Sequence, residues 1–147
     1  MNTLQNPYLG TKVGFTCGAM DLFHAGHVLM LEECKKYCDR LIVGLHTNPN
    51  LDRPSKNRPV QSLVERYIQL KACPYVDEIV PYEIEEQLLE ILKAFKIDVR
   101  FVGSDWKDKE FTGHDLDINI IYNKRDHDYS SSALRNKIVR MHESNKD

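Results

Sequence analysis

The sequence predicts an α/β protein: one Rossmann-like, doubly wound sheet of five parallel strands, with helices on both faces. Three observations carry that reading. Short apolar runs alternate with longer stretches of helical periodicity. The 147 residues suit a single domain, and no repeat, low-complexity tract or linker divides them. The polar segments richest in chemistry follow the ends of the apolar runs, where sheets of this kind bind ligands.

Each element has its own justification. Residues 12–17 (KVGFTC) are a short apolar run closed by Gly18, a buried strand. Over residues 25–38, Val28, Leu31, Cys34 and Cys38 recur at helical spacing. Residues 40–46 (RLIVGLH) read as a second buried strand, and a polar, proline-marked loop follows. Residues 62–73 form a helix with Ser62 as N-cap and Glu65 three residues on, the capping-box pattern. A strand over 77–82, a helix over 84–95 and a strand over 98–103 continue the alternation. After the loop SDWKDKEFTGHDL come a strand over 117–122 and a serine-capped helix over 130–142. Residues 1–11 and 143–147 are expected to be flexible ends. Strands joined through helices pair in parallel with right-handed crossovers. The strand order is then Rossmann-like or flavodoxin-like, and either puts the switch point beside the first strand.

Bulk properties narrow the function. A net charge of -2 gives no general attraction to nucleic acid or to a membrane surface. No apolar stretch approaches the roughly 20 residues of a membrane span. The first twelve residues lack the basic start and apolar run of a signal peptide, so a cytoplasmic location is expected. Cys17, Cys34, Cys38 and Cys73 form no CxxC pair, and a disulfide between Cys34 and Cys38, one helical turn apart, would be strained. They read as reduced and mostly buried thiols.

The segment DLFHAGH (21–27) puts His24 and His27 around the first turn of a helix, with Gly26 between them. A helix start offers unpaired N–H groups and a positive partial charge, a natural anion site. Gly26 and Gly18 keep side-chain bulk away from an approaching phosphate. Two other readings stay open on spacing alone. Zinc pairs favour i, i+4 with a third ligand nearby, whereas these histidines are i, i+3. The two rings are also compatible with one core and one surface histidine.

Four segments in order carry a resemblance. GAMDLFHAGH (18–27) resembles the pattern G-x-F-D-x-x-H-x-G-H, with Met20 at the phenylalanine. RPVQSLVER (58–66) resembles the segment leading to a nucleotide-contacting arginine, here Arg66. GSDW (103–106) resembles G-D-D-W, and RDHDYSSSALRNKI (125–138) resembles R-T-x-G-I-S-T-T followed by a helix. From about Val13 to Ile138 the chain therefore resembles the HxGH nucleotidyltransferases, the glycerol-3-phosphate cytidylyltransferase branch above all. Asp128 stands where the family has glycine, Ser131 and Ser132 where it has threonines, and Ser104 where it has the first aspartate.

The resemblance implies a reaction. The phosphate of a small alcohol phosphate, glycerol 3-phosphate in that branch, attacks the α-phosphorus of CTP and releases pyrophosphate. His24, His27, Lys56 and Arg125 would be the catalytic donors to phosphate oxygens. Gly18, Ala19, Gly26, Arg66, Ser130, Ser131 and Ser132 would bind the nucleotide. Asp21, Asp105 and Trp106 would belong to the acceptor side, although Asp21 also suits a loop-orienting role and Trp106 could merely cover the core edge. Arg53 and Arg58 read as solvated loop cations, as does the RDHD run. Mg²⁺ is expected as the cofactor, held mainly by nucleotide phosphates and with no protein ligands. A homodimer is also expected, with residues 71–82 as one possible interface. Related alternatives are ATP as donor, another phosphate acceptor, or a silent nucleotide-binding module.

Overall fold

A computed structural model describes residues 10–146. Its strands are β1 (Val13–Gly18), β2 (Arg40–His46), β3 (Glu78–Tyr82), β4 (Val99–Gly103) and β5 (Asn119–Asn123). They form one parallel sheet in the order β3-β2-β1-β4-β5, the Rossmann-like of the two expected orders. The helices are α1 (Ala25–Lys35), α2 (Leu63–Lys71), α3 (Glu85–Ala94) and α4 (Ser131–Ser144).

Apolar burial on both faces of the sheet explains why these segments fold as they do. On one face Leu31 and Cys34 of α1 and Leu70 of α2 pack with Leu41, Val43, Leu45, Val99 and Phe101. On the other, Leu88 and Leu92 of α3 pack with Val13, Phe15, Ile42 and Tyr82. Each fully buried leucine or phenylalanine contributes roughly 1.5–3 kcal/mol. β2 is buried from Leu41 to His46, which is why its sequence is an unbroken apolar run. β3 is an edge strand, and Pro81 within it is compatible only with such a position.

The caps behave as their chemistry requires. Ser62 Oγ accepts from the Glu65 N–H at 3.2 Å, and the Glu65 carboxylate accepts from the Ser62 N–H at 2.7 Å. At the entry ends of β1 and β2, the Asp98 and Asp77 carboxylates accept from the N–H groups of Val13 and Leu41, both at 2.8 Å. The opposite, carboxyl ends carry the long loops. Element boundaries shift from the expected ones by up to three residues, β2 excepted, the ends of α1 and α4 among them. α1 stops at Lys35, although Cys38 still packs in the core. α4 continues through Ser144, so residues 143 and 144 are helical. The expected flexible start over 1–9, and residue 147, lie outside the described residues.

Candidate active site

The corner after β1 is built by two residues in the left-handed region. Met20 and Leu22 both have φ 51°, a costly conformation for side chains of that size, and they bracket Asp21. Asp21 explains how the corner is held. Its carboxylate accepts from the N–H groups of Val60 and Gln61 at 2.8 and 3.0 Å. Its carbonyl accepts from the Ser131 hydroxyl at 3.1 Å. Leu22 N–H donates to Gln61 Oε1 at 2.9 Å. The corner is thus strapped to the start of α2 on one side and of α4 on the other.

His24 is the N-cap of α1, and the two imidazoles cap each other's turn. Nδ1 of His24 accepts from the Gly26 N–H at 3.0 Å, while Nδ1 of His27 accepts from the His24 N–H at 3.1 Å. A backbone N–H can only donate, so both Nδ1 atoms are unprotonated and both rings carry their proton on Nε2. Nε2–H of His24 donates to Ser131 Oγ at 3.2 Å. Nε2 of His27 has no hydrogen-bond partner among the described residues and remains a free donor. The ring centroids are 4.0 Å apart, and the His27 ring lies parallel to Phe23 at 5.4 Å. Burial, followed by the neighbouring His24 and opposed by Asp21, pushes His27 down to about 4. Burial, then the charges of His127 and Arg125, also lowers His24. Both rings are neutral donors near pH 7. Gly26 permits this packing: a Cβ there would lie 2.8 Å from His24 Cε1 and 3.0 Å from the Tyr129 carbonyl oxygen.

Two cavities meet at this corner. The first, about 480 Å³, takes in Gly18, Ala19, Asp21, His27, Lys56 and Trp106. The second, about 330 Å³, takes in His24, Gly26, His27, Asp105, Arg125 and Ser130. His27, Ser131 and Gly103 line both. A helix start with neutral donors, flanked by two cavities rich in arginine and lysine, suits an oxyanion passed between two ligands. Among the described residues no group of three or more His, Cys, Asp or Glu is placed to hold a metal ion.

A family model described as cytidylyltransferase-like matches residues 15–137. The chain belongs to that family. Curated relatives are the bifunctional protein HldE of Caulobacter vibrioides, 42% identical over 73% of this chain and 22% of that protein, and of Campylobacter jejuni, 34% identical over 86% and 28%. The chain thus spans roughly a quarter of the length of these relatives. Among solved structures, a lipopolysaccharide core biosynthesis protein from Thermoplasma volcanium superposes with a TM-score of 0.58, at 20% identity over 90% of each chain. Pantothenate synthetase from Thermus thermophilus superposes at 0.57, with 14% identity over 86% of this chain and 64% of that one. These two show the fold.

Within this cytidylyltransferase-like domain, most site residues expected from sequence converge, but two do not. Arg66 is 2% exposed and lines neither cavity. Its guanidinium donates to five carbonyls, those of Gln61, Ser62, Ala19, His46 and Thr47, at 2.6–3.3 Å. It therefore clamps together the loops after β1 and β2. Ser132 is exposed, accepts from Arg135 at 3.3 Å and faces away, because helical twist lets only its neighbours Ser130 and Ser131 reach the corner. The acceptor group is also divided. Trp106 lines the first cavity and Asp105 the second, while the Asp21 carboxylate is already committed to backbone N–H groups.

Other cavity residues escaped the sequence reading. Arg53, read as a solvated cation, pairs with Glu85 at 3.4 Å and lies 5.1 Å over the Trp106 ring. Arg135 pairs with Asp21 at 3.7 Å. His127, in the supposedly solvated RDHD run, lines the second cavity and stacks on Tyr129 at 5.2 Å. Arg100 lies buried on the floor of the first. Its signal was available: a lone arginine inside the apolar strand DVRFVG. No described helix is long and apolar enough to cross a membrane.

Proposed function

We propose that this domain transfers CMP from CTP to the phosphate of a small alcohol phosphate, glycerol 3-phosphate first, giving CDP-glycerol and pyrophosphate. One observation carries the reading: two cavities that share a wall at His27 and Ser131, above the start of α1. The nucleotide would occupy the second cavity, where Arg125, His127 and the start of α4 gather. The acceptor would enter the first, beside Lys56, Arg53 and Trp106. An acceptor phosphate oxygen then attacks the α-phosphorus in line, the bond to the bridging oxygen of the β-phosphate breaks, and pyrophosphate leaves with the electron pair. No covalent enzyme intermediate is required, so positioning and charge stabilisation supply the rate. The free Nε2–H of His27 meets charge building on the α-phosphate oxygens, and His24, whose single N–H is bonded to Ser131, would supply a second donor on exchanging that bond for a phosphate oxygen. Magnesium, when bound with the nucleotide, would supply charge neutralisation on the phosphate oxygens.

A second reading, ATP with a sugar phosphate, draws support from the relatives. The HldE proteins share up to 42% identity, and a structural neighbour is named for lipopolysaccharide core biosynthesis. The test for both is pyrophosphate release with each nucleoside triphosphate against a panel of polyol and sugar phosphates. Release confined to CTP with glycerol 3-phosphate supports the first reading. Release confined to ATP with sugar phosphates replaces it, and tight CTP binding without release under any pairing leaves only a binding module.

A further inference from the structure

The floor of the first cavity carries a cation that the chemistry above does not use. Arg100 sits inside β4, opposite Phe15 of β1, and is 4% exposed. Its guanidinium donates to the Thr112 carbonyl and lies 5.0 Å over the Phe111 ring. Its Nε has no partner, one of two buried side-chain polar atoms so placed among the described residues, the other being Gln69 Oε1. No carboxylate pairs with it there either. Glu85, on the same cavity wall, is committed to Arg53 at 3.4 Å and to the Thr112 hydroxyl at 2.8 Å. A buried guanidinium with no paired carboxylate and an unpartnered Nε is destabilising until an anion completes it.

Its position gives that anion a role. Burial raises the Cys17 thiol, and the Arg100 charge is the largest influence opposing it. Cys17 lines both cavities, so the charge of Arg100 is felt at their junction. The other cations of the first cavity are differently placed. Lys56 is exposed on a loop, Arg53 is paired with Glu85, and Arg135 is paired with Asp21. Arg100 alone stands on a core strand with bonding capacity to spare.

We propose that Arg100 seats an oxyanion of the acceptor and so sets acceptor specificity. The word acceptor rests on the nucleotidyl-transfer reading, whereas the anion seat stands on the geometry itself. The oxyanion belongs to the attacking phosphate or to a second acidic group on the same molecule.

Trp106, the only tryptophan, lines the same cavity, so its fluorescence reports occupancy. Inorganic phosphate, glycerol 3-phosphate and 3-phosphoglycerate would be titrated into the full chain and into Arg100→Met and Arg100→Gln. Both variants should weaken binding of all three at least tenfold while leaving CTP affinity within twofold. The melting temperature of Arg100→Met should hold or rise, because an uncompensated buried charge has gone. If 3-phosphoglycerate binds the unaltered chain more tightly than glycerol 3-phosphate and the variants erase that advantage, the second acid group is the one seated. Equal losses for all three anions assign the attacking phosphate. Unchanged anion affinities in both variants, or equal losses of CTP and anions, overturn the proposal. Should Arg100→Met fold poorly, Arg100→Gln, which keeps a donor for the Thr112 carbonyl, carries the same comparison. Absence of pyrophosphate release with every substrate pair would defeat the nucleotidyl-transfer reading, while the phosphate titration would still decide the role of Arg100.

Discussion

Replacing His27 with asparagine should flatten part of the acid side of the stability profile. In the folded chain His27 is pushed from 6.5 down to about 4, chiefly by burial. As pH falls between those values, the unfolded chain takes up a proton that the folded ring refuses, so stability is lost on acidification and regained as pH rises. Each unit is worth about 1.4 kcal/mol, so the ring should account for about 3 kcal/mol of lost stability by pH 4. With a urea slope of about 2 kcal/mol/M for a domain of this size, that is a midpoint shift of about 1.5 M. The physical reason is specific: protonating Nδ1 would oppose the His24 N–H that it now accepts at 3.1 Å. Asparagine can accept that N–H without titrating. Lost stacking on Phe23 would shift its stability equally at every pH and cancel in the comparison. The assay is urea unfolding of both proteins from pH 7 to pH 4. A stability difference between them that stays constant over this range refutes a buried, neutral His27.

Three further outcomes follow from the same geometry. Gly26→Ala should cost about 10²–10³ in kcat, the loss expected for one misplaced donor, because the new Cβ 2.8 Å from His24 Cε1 turns that ring away from its cap. Steady-state kinetics beside a melting curve would separate this from unfolding. Asp21→Asn keeps one acceptor, loses the second backbone bond and the Arg135 pair at 3.7 Å, and should lower stability by about 1–3 kcal/mol in chemical denaturation. Arg66→Met strips five carbonyls of their shared donor and should lower stability by about 3 kcal/mol or more. A stable Arg66→Met protein with weak nucleotide binding would instead return Arg66 to the nucleotide.

What the sequence made legible was mostly periodic or covalently local. β2 was readable residue for residue because both its faces are buried. The Ser62–Glu65 box was readable because both partners lie within one turn. The histidine pair was visible, but its mutual capping was not, since imidazole is an unusual N-cap and the tautomers depend on bonds made after folding. Arg66 was singled out by its motif position, which gave no sign of the five carbonyls it gathers. Its spacing from Leu70, four residues on and also buried, already put it on the inward face of α2. The run of three serines could not say which hydroxyls face the corner until the phase of α4 was fixed. Arg100 lay in plain view, but reading 98–103 simply as a strand gave its side chain no role.

The bond between His24 and Ser131 joins groups 107 positions apart. The first loop of the chain therefore waits for the last helix, and a nascent chain still lacking residue 131 can assemble its sheet without completing the donor pair. Synthesis order thus reaches the corner itself: a chain cut short of residue 131 holds the imidazoles without that anchor.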